Sequence, residues 1–150
     1  IIVKGDHVFM GYYQNEKATK EAIKDGWFYT GDLGLIDKDG FIHITGRKKN
    51  VIVLNNGKNV FPEEIEGLIS NSPYIKECIV FNKTANDKDL ICAKIVYDSE
   101  MYKDYDEVKK NIEDHIKNVN EKLISYKQVR DIELTDVEMD KTTTGKIKRH

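Results

Sequence analysis

Asp104-Tyr105-Asp106-Glu107-Val108-Lys109-Lys110-Asn111-Ile112-Glu113-Asp114-His115-Ile116-Lys117-Asn118-Val119-Asn120-Glu121-Lys122-Leu123 is the stretch on which the fold turns. Val108, Ile112, Ile116, Val119 and Leu123 recur every three or four positions, while nearly everything between them is polar. That spacing puts one apolar stripe on an otherwise solvated helix. Asp104, with Glu107 three residues on, forms a capping-box pattern at its start. An amphipathic helix of this length needs a partner surface for its stripe, and the flanking sequence offers one. Upstream, Cys78-Ile79-Val80-Phe81 and the run Leu90 to Tyr97 read as paired strands. In the second, Ile91, Ala93, Ile95 and Tyr97 share one face, opposite Leu90, Cys92, Lys94 and Val96. Downstream, Val129 to Leu134 reads as a further strand.

Pro62 opens a second, shorter helix, with Glu63, Glu64 and Glu66 near its positive end and Ile65, Leu68 and Ile69 as its stripe. Val51 to Leu54 is a short strand, and Asn55-Asn56-Gly57 a turn. From Val51 on the order is strand, helix, two strands, helix, strand. The expected fold class is therefore α+β: a small domain with helices against one sheet. The polar stretch Lys83 to Asp89 is expected to connect the two central strands. If that hairpin is symmetric, Cys78 lies near Ile95 and away from Cys92. Both cysteines then remain free and buried, as small apolar groups.

The region before this domain reads differently. Val3 to Tyr13 alternates loosely and could hold a strand. Asn15 to Lys24 is rich in helix formers, and Gly26 is expected to end that helix. Trp27-Phe28-Tyr29-Thr30-Gly31-Asp32-Leu33-Gly34 reads as a tight loop after the aromatics. Leu35-Ile36 and Phe41-Ile42-His43-Ile44 flank Asp37-Lys38-Asp39-Gly40, a hairpin signal. Gly46-Arg47-Lys48-Lys49-Asn50 is a polar interruption taken as a linker, with the main boundary after Gly46. Residues 1–46 and 47–150 are thus the two expected domains.

Composition narrows the function. The 150 residues are 39% hydrophobic and 33% charged, with a net charge of −2. A core is possible, but this charge argues against a general nucleic-acid binder. No apolar run approaches the roughly 20 residues of a membrane span. Two cysteines do not make a disulfide scaffold and fit a reducing compartment. The chain opens with Ile1-Ile2-Val3 rather than methionine and is read as a piece of a longer protein, with no secretory leader expected in this stretch. The histidines at 7, 43, 115 and 150 have no zinc spacing among themselves or with the cysteines, so no metal site is expected.

Individually, the candidate functional residues are unspecific. Thr144-Gly145-Lys146 has the end of a phosphate-binding loop, but Asp140 and Ile147 stand where that pattern needs Gly and Ser or Thr. Taken alone, the tail from Thr142 to Arg149 reads as polar, basic and mobile, although its lysine could reach a phosphate or carboxylate. Thr30-Gly31-Asp32 could be an ordinary turn, or an acid placed to accept from a ribose diol. Arg47 and Lys49 could be plain surface charge.

Their succession is specific. Gly11-Tyr12-Tyr13, Gly26-Trp27-Phe28-Tyr29-Thr30-Gly31-Asp32-Leu33-Gly34, Gly46-Arg47-Lys48-Lys49, Gly57-Lys58-Asn59-Val60-Phe61-Pro62-Glu63-Glu64-Ile65-Glu66 and Lys141-Thr142-Thr143-Thr144-Gly145-Lys146-Ile147 follow one another in order. This succession resembles the C-terminal third of the adenylate-forming enzymes: acyl-CoA synthetases, adenylation domains of peptide synthetases, and luciferases. The resemblance covers essentially the whole chain. The wording at Gly46 to Lys49 and Asn56 to Val60 is most similar to the long-chain fatty acid–CoA ligases.

The resemblance implies a two-step reaction. ATP and a carboxylic acid give an acyl-adenylate and pyrophosphate, and the thiol of coenzyme A then displaces AMP. It also implies that residues 1–46 are the β-rich end of a large N-terminal domain, most of which lies outside this chain, and that 47–150 form a C-terminal lid with a mixed sheet. The fragment by itself would then be inactive, lacking the acyl pocket and phosphate loop. Lys146 matches the catalytic adenylation lysine. Asp32 and Arg47 match ATP/AMP-binding residues, Lys49 the hinge, and Gly57 the loop lining the coenzyme A channel. Magnesium would arrive with ATP, held mainly through the missing domain. The implied location is cytoplasmic, with any membrane association falling to the missing region. The family motif ordinarily has Pro where this chain has Asp140, which is expected to loosen the lysine loop. The rival readings are a lid serving aryl or amino acids, and a non-enzymatic anion-binding module.

Overall fold

The computed structural model describes residues 1–85 and 88–149, and the chain divides into two compact units, Ile1–Asn50 and the residues from Val51 on.

The second unit is built around the long helix. α3 covers Tyr105–Lys122, and the Asp104 carboxylate accepts from the backbone N–H groups of Asp106 and Glu107. Val108, Ile112, Ile116 and Val119 are its buried residues. The shorter α2, Pro62–Ile69, buries Pro62, Ile65 and Ile69. Both helices supply one core with strands β8 (Ile75–Ala85), β9 (Lys88–Tyr97) and β10 (Val129–Thr135). The sheet order is β10-β9-β8; β8 runs antiparallel to β9, and β10 runs parallel to it. The sheet is therefore mixed, and the domain is α+β.

Register follows the alternation read from the sequence. Cys78 lies opposite Ile95 and Cys92 opposite Phe81, and both thiols are free and buried. Ile91, Ala93 and Ile95 face the core shared with the helices. The strands run further than expected, however. Pairing continues through Lys83–Leu90, Thr84–Asp89 and Ala85–Lys88, so most of the polar connector is strand; residues 86 and 87 lie outside the described residues. Polar side chains are no obstacle at an outer sheet end, where they stay in water.

Two side chains lock the helices to their neighbours. Asn120 Nδ2 donates to the Val129 carbonyl at 2.9 Å while Asn120 Oδ1 accepts from Val129 N–H at 2.8 Å. Its amide thus closes the start of β10 as another strand would. His115 Nε2 lies 3.0 Å from the Ile69 carbonyl, one of the carbonyls a helix C-terminus leaves open. Before α2, β6 (Ile52–Val53) pairs with β7 (Asn59–Val60), a second strand that the sequence reading did not foresee.

The first unit is made of small pieces. β1 is only Ile2–Val3; the chain turns at Gly5, whose carbonyl accepts from Val8 N–H, so the longer strand expected to Tyr13 does not form. α1 (Glu16–Ala22) is capped by Asn15, and it stops before the expected Gly26. The reason is a tight hairpin. β2 (Ile23–Lys24) pairs with β3 (Trp27–Tyr29), and Asp25 and Gly26 between them have φ of 51° and 78°. Positive φ at both central residues is the turn that Asp-Gly favours. β4 (Asp32–Ile36) pairs with β5 (Ile42–Arg47) across the expected Asp37 to Gly40 turn. Asp32 and Gly34 are thus strand residues rather than loop, and Gly46-Arg47 is strand rather than linker. A one-turn 3-10 helix, Lys48–Asn50, follows.

Candidate functional site

Asp32 and Arg47 are directly cross-strand partners in β4 and β5. Arg47 Nε lies 2.7 Å from Asp32 Oδ1, and both side chains remain partly exposed. The backbone around them is fixed from both sides. Asp32 N–H donates to Thr30 Oγ1 at 3.0 Å, and Lys48 N–H donates to the Gly31 carbonyl at 2.9 Å. An acid and a guanidinium held side by side give one acceptor set and one donor fork, suited to a diol beside an anion. Lys49, one residue past the fixed Lys48, is exposed within the 3-10 turn.

Gly57 lies in the β6–β7 turn. Gly57 N–H donates to the Leu54 carbonyl at 2.8 Å, and Leu54 N–H donates to the Lys58 carbonyl at 2.9 Å. Its φ is +78°, and a Cβ built there meets nothing within 4 Å. A side chain would be strained by the backbone alone, and the space beside the glycine is open. The turn is tied to the sheet through Asp89, whose carboxylate accepts from Asn55 N–H, Asn82 Nδ2 and Thr84 Oγ1. Those donors, Asn55 N–H first, hold the Asp89 carboxyl below its ordinary pKa. Lys58 Nζ sits 4.4 Å from the centre of the Tyr126 ring.

Lys146 is at the end of a tight turn. Thr142 N–H donates to the Lys146 carbonyl at 2.8 Å, Gly145 N–H to the Thr142 carbonyl at 2.9 Å, and Lys146 N–H to Thr142 Oγ1 at 3.1 Å. Lys141 bridges Ile147, and Lys148 N–H donates to the Asp140 carbonyl at 2.8 Å, closing the stem of a small hairpin. The tail is therefore not the loose segment its composition suggests. The Asp140 carbonyl is one of the groups that close this stem.

The stem is anchored at both ends. Glu77 Oε2 accepts from Met139 N–H at 2.9 Å, and Glu77 Oε1 lies 2.5 Å from Lys141 Nζ. Past the turn, Arg149 Nη2 lies 2.5 Å from Glu66 Oε2, and Arg149 Nη1 donates to the Val80 carbonyl at 3.4 Å. Glu66 Oε1 in turn accepts from Val80 N–H at 2.7 Å. Val80 is on β8, the sheet edge, so this ion pair satisfies both of its outward backbone groups. Burial pushes the Glu66 carboxyl upward, opposed by Val80 N–H and Arg149. Burial also pushes the neighbouring Cys78 thiol up to about 12, which removes it as a nucleophile.

The lysines of this segment differ sharply. Lys141 reaches Glu77 and also Glu138, and Lys76 reaches Glu138 at 2.6 Å. Lys146 is exposed and has no carboxylate partner among the described residues. An unneutralised ammonium on a fixed turn can meet an anion that comes to it. Glu66, Glu77, Lys141 and Arg149 were not singled out from sequence. Arg149, three residues after Lys146 and set in a basic run, is the one whose position offered a signal.

Comparisons with known proteins give the chain its relatives. The family model for the AMP-binding enzyme C-terminal domain matches residues 49–150. The long-chain-fatty-acid–CoA ligase FadD15 of Mycobacterium tuberculosis is 47% identical over 102 residues, which is 68% of this chain and 16% of that protein. The 2-succinylbenzoate–CoA ligase of Geobacillus kaustophilus is 43% identical over 77 residues, 51% of this chain and 16% of that protein. Among solved structures, the anthranilate CoA ligase AuaEII in complex with anthranoyl-AMP superposes with a TM-score of 0.79 at 27% identity, over 97% of this chain and 27% of that one. The chain thus spans about a sixth of the length of these two curated relatives.

Proposed function

The chain belongs to the AMP-binding enzyme C-terminal domain family, and on that premise we propose that it is the lid of an ATP-dependent, AMP-forming acid–CoA ligase whose acid is a long-chain fatty acid. The observation that carries this reading is the exposed, unneutralised Lys146 on an anchored hairpin. A carboxylate attacking an α-phosphate brings two anions together, and the transition state spreads negative charge over the phosphate oxygens. Lys146 Nζ is a compact charge able to lie between them. Asp32 accepts from the ribose hydroxyls, and Arg47, paired with it, orients that carboxylate and faces the nucleotide. Lys49 is the pivot: the family match begins at this residue, immediately after Lys48 is bonded to Gly31. After rotation, the open space beside Gly57 receives the pantetheine arm of coenzyme A. A lysine on a moving element can leave before the thiol enters.

Long-chain specificity is supported by the FadD15 match, which is longer than the match to the 2-succinylbenzoate ligase. The 2-succinylbenzoate and anthranilate ligases favour a second reading, an aryl acid. Magnesium, as the partner of ATP, falls in this proposal to residues outside the chain. Among the described residues no group of three or more His, Cys, Asp or Glu side chains could hold a metal ion. No helix of the described residues is long and apolar enough to cross a membrane.

The test is made in the full-length ligase that carries this chain. Lys146→Ala is expected to lower acid-dependent ATP–pyrophosphate exchange by about 10²–10³-fold, the typical cost of one charge-stabilising donor. Thioester formation from supplied acyl-adenylate is expected to continue. Equal loss of both half-reactions would overturn the role of Lys146. Exchange driven by aryl acids and not by long-chain acids would replace the first substrate reading by the second.

A further inference from the structure

The turn that carries Lys146 holds itself together but does not aim itself. Among the described residues, the hydrogen bonds of Thr142 to Lys146 run within the turn, from Thr142 to Thr144, Gly145 and Lys146. Its direction is therefore set by the stem, and the stem before it rests on Glu77. That carboxylate is only 7% exposed and has both of its oxygens committed to the stem, to Met139 N–H and to Lys141 Nζ.

This arrangement is not explained by stability. Burying a carboxylate costs free energy that a single partner at best offsets, whereas surface pairs contribute little. The other anchor, Arg149 with Glu66, has a plain structural task, because it also satisfies Val80 at the sheet edge. The one side-chain hydrogen bond of Glu77 and its ion pair both go to the lysine hairpin. A buried carboxylate whose partners both lie in one hairpin stem is best accounted for by the geometry it imposes there.

We propose that Glu77 is a positioning residue for adenylation: through Lys141 and the Met139 amide it fixes the direction in which the hairpin presents Lys146. The inference rests on the role proposed for Lys146. Glu77 contacts the stem and not Lys146 itself, so its loss should not remove the ammonium, only let it wander. Displacement by about 1 Å can cost on the order of 10²-fold in rate.

The experiment uses the full-length ligase with ATP–pyrophosphate exchange and thioester formation from supplied acyl-adenylate. Glu77→Gln keeps an oxygen for Met139 N–H but removes the charge facing Lys141. Lys141→Met removes the same pair from its more exposed side and guards against a folding defect at the buried position. Each is expected to lower kcat for exchange about 10- to 100-fold. KM for ATP should hold within about twofold, and thioester formation should be retained. Lys141→Arg should restore most of the exchange rate. Unchanged exchange in both variants overturns the proposal, as does parallel loss of both half-reactions and of thermal stability. Lys146→Ala is measured alongside: if it leaves exchange intact, the underlying reading of Lys146 fails, and if it alone abolishes exchange, only the positioning role of Glu77 fails.

Discussion

The two units of this chain carry similar kinds of sequence and come to opposite physical ends. In the second unit Ile65, Ile69, Ile95 and Ile112 are at most 1% exposed. In the first, Ile36, Phe41, Ile42 and Ile44 are 61–70% exposed, and Gly46 is the one described residue there that is buried. The difference is not composition but closure. α2 and α3 each bring an apolar stripe to one face of a three-stranded sheet. The β4–β5 hairpin has apolar residues on both of its faces and no layer over either among the described residues of its own unit. A two-stranded hairpin is marginal in water without such cover. The second unit should thus be an autonomous domain, and the first a set of pieces whose order depends on something beyond itself.

The sharpest way to break this contrast is to separate the units. Residues 51–150 expressed alone are expected to unfold in one cooperative thermal transition, with slow amide exchange in β9 and α3. Residues 1–50 alone are expected to show no cooperative transition and no protected amides. Protected amides across β4 and β5 in the isolated first unit would mean that closure is not what separates the two.

A smaller effect separates the same two environments residue by residue. Ile112→Ala removes a fully buried side chain and should destabilise the 150-residue chain by about 2–5 kcal/mol in chemical denaturation. Ile44→Ala, at 68% exposure, should change stability by no more than about 0.5 kcal/mol. A comparable loss at both sites would mean that the first unit has a core of its own.

The contrast also explains what the sequence disclosed. α3 and the β8–β9 register were readable because buried apolar residues impose a period, 3.6 in one and 2 in the other, and closure enforces both. The first unit has no such enforcement. The helix formers from Asn15 to Lys24 masked a hairpin that only Asp25-Gly26 announced, and Asp32 to Gly34 looked like loop because its strand partner was taken for a linker. The sequence marks Lys146, Asp32, Arg47 and Gly57 as candidates through the succession of short motifs that carries them. It does not mark the frame around Lys146. Glu77 meets Met139 across 62 positions and Glu66 meets Arg149 across 83. Pairs so distant are fixed by the sheet topology, and a single sequence carries no periodic trace of them.

The smallest predicted effect puts identical chemistry into both units. Asp104 caps α3 by accepting from Asp106 and Glu107 N–H, and Asn15 caps α1 by accepting from Ala18 N–H at 3.0 Å. Each cap satisfies an amide that its helix leaves open. Replacing Asp104 by Ala should cost the chain about 1 kcal/mol, because α3 forms only together with the core its stripe completes. Replacing Asn15 by Ala removes an equivalent local bond, but α1 has no buried residue to couple its fraying to anything else. Its loss should shorten the lifetime of α1 amides in exchange experiments and leave the denaturation midpoint of the chain where it was. If both substitutions moved that midpoint equally, the helices would belong to one cooperative structure, and the division into a closed and an open unit would have to be abandoned.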